Sequence, residues 1–144
     1  YTLLKLRENT CDAIGVNLDP SHLWWQGIDP VGAIKILGEA GAIHHFHAKD
    51  TYLDQDNINM YGLLDMQPYG DVKTRAWTFR SVGCGHDVKV WSDMMSALRM
   101  YGYDYVVSIE HEDPLMSIDE GLNRAVTNLQ SVLIKETPQD MWWA

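Results

Sequence analysis

Three strand-like runs in this chain each end on a side chain that can hold a cation. Residues 14–18 run into Asp19, residues 43–46 into His47, and residues 106–109 into Glu110. Side chains alternate along a strand, so each run has two characters. Ile14, Val16 and Leu18 share one face, with Gly15, Asn17 and Asp19 on the other. Phe46 and Ala48 lie opposite His45 and His47, and Val107 and Ile109 lie opposite Ser108 and Glu110. The apolar faces call for a covering of helices, and the polar faces converge on a common interior. That is the pattern of part of an α/β barrel, with its site at the C-terminal mouth of the strands.

The stretches between these runs carry helix signals. Residues 3–9 are helix-like. Asp29-Pro30 opens a helix, with Asp29 as cap and Pro30 in the first turn; Ile34 and Leu37 fall on its inner face and Gly41 stops it. A further strand is expected over 77–82. Trp91, Met94, Met95, Leu98 and Tyr101 recur at helical spacing up to Gly102. Ser117 and Glu120 form a capping box for a last helix, whose buried face is Leu122, Ala125, Val126, Leu129, Val132 and Leu133. Such alternation predicts parallel strands joined by right-handed crossovers.

Four strands make half of an eight-stranded barrel, which leaves two open edges and requires an N-terminal half or a second copy to close it. The chain opens at Tyr1, without an initiator Met and inside a helical pattern, so we read it as a truncated piece of a longer protein. The long connection 50–76 carries Tyr52, Tyr61 and Tyr69 and reads as an ordered lid. The tail 137–144, with Pro138, Trp142 and Trp143, is expected to dock on the body or on a partner.

Composition narrows the functional classes. The 144 residues carry a formal charge of −9, which disfavours a nucleic-acid partner. No apolar run approaches the ~20 residues that span a bilayer, and no signal peptide is visible. Cys11 and Cys84 lack metal-type spacing and read as reduced thiols. These features predict a soluble cytoplasmic protein.

Asp19 alone reads as a turn or helix-cap residue, but Asp-x-x-His with His22 places a second polar group at the same mouth. His47 belongs to a cluster with His44 and His45, and Lys49 and Asp50 follow it. Glu110 ends an apolar strand and is costly to bury unless a cation, a proton or a salt bridge to Arg80 compensates it. Glu112 is within reach of the same mouth. The mixed oxygen and nitrogen set suits Mn²⁺, Mg²⁺, Co²⁺ or Zn²⁺, with Mn²⁺ favoured. Gly83-Cys84-Gly85 lacks the Lys-Ser/Thr of a phosphate loop and reads as a tight turn. Arg80 reads either as a structural residue or as a holder of a substrate hydroxyl or phosphate.

Taken together, Asn17-Leu18-Asp19-Pro20-Ser21-His22, His47-Ala48-Lys49-Asp50, Arg80-Ser81-Val82-Gly83-Cys84-Gly85 and Ile109-Glu110 resemble, in order, the C-terminal half of the xylose isomerase-like TIM barrels. This is the sugar phosphate isomerase/epimerase group, with tagatose and psicose epimerases and inosose dehydratase. The resemblance implies a divalent cation held by Glu, Asp, His and Glu from the fourth, fifth, sixth and eighth strands. Asp19, His47 and Glu110 match the last three, and His22 and Arg80 match substrate-contacting positions; we group Lys49 with these as substrate-binding. The first Glu has no counterpart in this chain, so one member of the acid/base pair is absent.

The implied activity is metal-dependent isomerisation or epimerisation of a sugar, keto-sugar or polyol through a metal-stabilised enediolate, with Glu110 as general base and then acid. A keto-inositol dehydratase and a non-catalytic sugar-binding or structural half-barrel are the alternatives. Abasic-site endonucleases share Asp-x-x-His but carry a further Asp-x-His. Between His47 and Glu110 the nearest sequence is the reversed pair His86-Asp87, which weakens that reading.

Overall fold

Proline and aspartate set the punctuation of the chain, and the computed structural model, which describes residues 1–143, follows it. The order is α1 (Thr2–Glu8), β1 (Val16–Leu18), α2 (Pro20–Trp24), α3 (Pro30–Glu39), β2 (Ile43–Ala48), β3 (Asp50–Leu53), α4 (Gln55–Tyr61), β4 (Trp77–Arg80), α5 (Val88–Met100), β5 (Val107–Ile109) and α6 (Ile118–Val132). Asp19, Asp29, Asp54, Asp87 and Ser117 each cap the helix that follows, accepting a backbone N–H in its first turn.

The parallel sheet has the order β1-β2-β5. Asn17 pairs with His45, and His47 with Ser108, so β2 is central and its C-terminal end lies between the ends of the other two. Phe46 and Ala48 are fully buried, and helices α3, α5 and α6 cover that face with Ile34, Trp91, Met94, Leu98, Ala125 and Leu129. This is the α/β arrangement of a partial TIM barrel, with the polar strand faces turned away from the helical layer.

Several details depart from expectation. The first strand spans 16–18 rather than 14–18, with a register shift between Val16 and Asn17. The strand expected over 77–82 forms over Trp77–Arg80 but does not join the parallel set. It pairs antiparallel with β3, Asp50 opposite Arg80 and Leu53 opposite Trp77, while β5 pairs directly with β2. The parallel strands therefore number three among the described residues. The physical reason is that the chain leaves β2, continues through Lys49 into β3 and simply reverses; an antiparallel partner needs no crossover helix packed on the sheet. The connection 50–76 is thus partly regular structure, closed by Asp65, whose carboxylate accepts from the backbone N–H of Gln67 and Ala76.

On α6, Val126 is exposed instead of buried. In the tail, Trp142 and Trp143 pack edge-on against each other and are largely exposed, rather than docked on the body.

Candidate metal centre

Asp19 sits where β1 ends and α2 begins, and its two oxygens do different things. Oδ1 accepts from the Ser21 backbone N–H at 2.9 Å as the cap of α2. Oδ2 lies 3.6 Å from His22 Nε2 and 3.5 Å from Lys49 Nζ. The turn-residue reading and the ligand reading of Asp19 are therefore compatible.

His47 projects from β2, and Glu110 follows β5 directly, its N–H bonded to the Ala48 carbonyl at 3.3 Å. One donor atom from each of Asp19, His47 and Glu110 lies within 4.8 Å of the others. Atoms bound to one ion at ~2.1 Å stand about 3–4.2 Å apart, so this trio needs only a small contraction. All three side chains are partly open to solvent, which leaves room for further ligands. The donor set and its spacing fit a divalent cation.

Lys49 is the group that fills this arrangement from below. Its ammonium donates to Glu110 Oε2 at 2.6 Å and to Glu112 Oε2 at 2.7 Å, with only 2% of the side chain exposed. The Phe79 ring lies 4.2 Å from it. Burial works to lower the affinity of Lys49 for its proton, but hydrogen bonds to Glu110 and Glu112 and the charge of Asp19 outweigh it, so its pKa stands above the usual lysine value. Glu110 responds in kind. The Lys49 hydrogen bond, against some desolvation, holds its pKa below the usual carboxylate value.

His22 and Lys49, both expected to meet substrate, border this cluster. His22 is at the rim, edge-on to Phe79 at 5.2 Å, its Nδ1 accepting from Trp25 Nε1. Trp25 in turn stacks on Trp77 at 5.1 Å. Arg80 is not brought to the cluster. It follows Phe79 on β4, so it leaves the opposite face of the hairpin, and its Nε donates to Asp113 at 3.0 Å. The compensating charge for Glu110 is thus Lys49, not Arg80.

Asp113 also accepts from the Ser81 and Leu115 backbone N–H groups. Burial tends to raise its pKa, but these bonds and Arg80 lower it below the ordinary value. Gly83-Cys84-Gly85 is the expected tight turn, with Gly83 at φ 81°. The N–H groups of Gly83, Gly85 and His86 all point at Asp50 Oδ2, so the turn cradles an anion that belongs to the chain itself.

Sequence reasoning missed how Glu112, Phe79 and Asp50 are used. The signal available was Lys49 next to Asp50 at a strand end, where alternation sends a cation and an anion to opposite sides.

The profile of the xylose isomerase-like TIM barrel family matches residues 3–131. The chain belongs to that family. The uncharacterised protein YfiH of Bacillus subtilis (strain 168) is 40% identical over 132 residues, which are 92% of this chain and 42% of YfiH. The crystal structure of a xylose isomerase domain protein from Planctomyces limnophilus aligns with a TM-score of 0.62 at 22% identity, over 91% of this chain and 42% of that one. The chain thus spans less than half the length of each of these two proteins. No helix among the described residues is long and apolar enough to cross a membrane.

Proposed function

We propose that this chain carries the C-terminal part of the active site of a metal-dependent sugar isomerase or epimerase, acting on a keto-sugar or related polyol in the cytoplasm. The observation that carries the reading is the convergence of Asp19, His47 and Glu110 donor atoms to within 4.8 Å of one another. Mn²⁺ is the favoured occupant of this oxygen-rich, partly open set. When bound there, the cation would draw charge from adjacent substrate oxygens and ease proton loss from the neighbouring carbon.

The rest is work for the chain's own residues. Glu110 is kept as a carboxylate by Lys49, which meets it at Oε2, the oxygen also nearest His47 Nδ1 at 3.7 Å. Oε1 is then the atom that takes a proton from the carbon beside the carbonyl. In isomerisation it delivers that proton to the former carbonyl carbon; in epimerisation the other member of the acid/base pair reprotonates the same carbon from the opposite face. His22 at the rim orients substrate hydroxyls, while the enclosed Lys49 acts on substrate only through the carboxylates it holds. Arg80 acts at one remove, holding Asp113 and with it the segment after Glu110.

Solvent deuterium exchange into a panel of keto-sugars, followed by NMR with Mn²⁺ present, tests the assignment. Glu110→Gln is expected to slow exchange by about 10²-fold or more. Undiminished exchange in that variant removes Glu110 from proton transfer. The assay uses the full-length protein, and absence of exchange there with every sugar favours a non-catalytic module.

A further inference from the structure

Lys49 poses a problem that the metal reading does not absorb. Its ammonium already neutralises two of the groups that a cation would need, at 2.6 Å from Glu110 and 3.5 Å from Asp19. It cannot retreat to solvent, because its stem is enclosed and the Phe79 ring covers it at 4.2 Å. A buried ammonium stripped of partners is strongly unfavourable, so whatever displaces it must leave it an acceptor. One is present. Glu112 Oε2 lies 2.7 Å away, on a side chain that is 46% exposed and able to follow it.

Charge points the same way. Asp19, Glu110 and Glu112 supply three carboxylates, and Lys49 supplies one ammonium. The two positive charges still lacking are those of one divalent cation. The cluster is balanced when Lys49 and a divalent ion are both present, not when either replaces the other.

We propose that Lys49 is a resident counter-cation that holds Asp19 and Glu110 in place in the empty site and passes to Glu112 when a divalent ion arrives. Glu112 is then a positioning residue, acting on metal affinity through Lys49 and not as a ligand. This rests on the metal reading above.

The test is a double-mutant cycle on the chain as it stands, with Mn²⁺ alone as probe, reading free Mn²⁺ by electron paramagnetic resonance. Lys49→Met removes the competitor, and its dissociation constant is expected to fall about tenfold, while Glu112→Gln is expected to raise it about tenfold. In the Lys49→Met background, Glu112→Gln is expected to change it less than about twofold, because its intermediary is gone. A second readout is the melting temperature without metal, which should fall in Lys49→Met as three carboxylates face one another unneutralised. Should that variant not fold, Lys49→Gln takes its place in the cycle.

An equal Glu112→Gln effect in both backgrounds makes Glu112 act on its own and overturns the inference, as does unchanged or weaker Mn²⁺ binding by the Lys49 variant. Those results leave the metal centre standing. Absence of Mn²⁺ binding in every form overturns the metal centre, and this inference with it.

Discussion

Lys49 and Asp50 are adjacent in sequence, and their surroundings differ in a way that separates framework from chemistry. Asp50 is wholly buried and saturated. Its oxygens accept from the backbone N–H groups of Thr51, Gly83, Gly85 and His86, from His86 Nδ1 and from Trp91 Nε1. His86 is further clamped by Trp24, stacked at 3.9 Å. Such a carboxylate has no capacity left for a ligand. On the other side of the same backbone, Asp19, Glu110 and Glu112 share a single lysine and remain partly open to solvent. A charge satisfied by rigid backbone donors fixes the fold, whereas charges satisfied by one long side chain can exchange that partner for another.

The contrast breaks or sharpens under substitution. The largest expected effect is at Asp50. Replacing it with Ala orphans a ring of buried donors and should cost about 3–5 kcal/mol by urea unfolding; a loss below about 1 kcal/mol would erase the distinction. Next, Mn²⁺ at a hundredfold excess over its dissociation constant should stabilise the parent chain by about 2–3 kcal/mol. His47→Ala should abolish that gain in a thermal melt while leaving the metal-free chain within about 1 kcal/mol of the parent.

Gly85→Ala comes third. A Cβ there would clash with the Thr51 carbonyl oxygen, and the turn around Asp50 must yield, at about 1–3 kcal/mol in the same unfolding assay.

Asp113 gives a pH signature that belongs to the framework. Its folded pKa is lowered, so its contribution is present above the unfolded carboxylate value near 4 and is lost as pH falls through the folded value. Asp113→Asn should flatten this acid limb in unfolding curves below about pH 4, with little change in slope between pH 5 and 8. The smallest effect is on the surface. Lys89 pairs with Asp93 one turn on, but the lysine is 74% exposed, and Lys89→Ala should move stability by less than about 0.5 kcal/mol.

Much of this was legible from residue pattern. The apolar and polar faces of 14–19, 43–48 and 106–110 located the parallel strands and brought Asp19, His47 and Glu110 to one end. Asp29-Pro30 and Ser117-x-x-Glu120 placed two helix starts correctly, because caps are local chemistry. What escaped was partner choice over long sequence separation. Residues 77–80 are equally strand-like whether they join a parallel sheet or a hairpin, and only the tertiary path decides. Glu110 was recognised as needing a positive charge, yet Lys49 and Arg80 were both available in sequence. The alternation along β4 that turns Arg80 toward Asp113 became meaningful only once the hairpin was known.

Asp19 has a consequence of its own. One oxygen secures the first turn of α2 while the other faces His22 and Lys49, so a tug on either is transmitted across a single rigid carboxyl plane. The amide proton of Ser21 should therefore act as a gauge of occupancy, its chemical shift moving as a diamagnetic ion such as Mg²⁺ is titrated in. The C-terminal end of β1 and the onset of its next helix are mechanically one part.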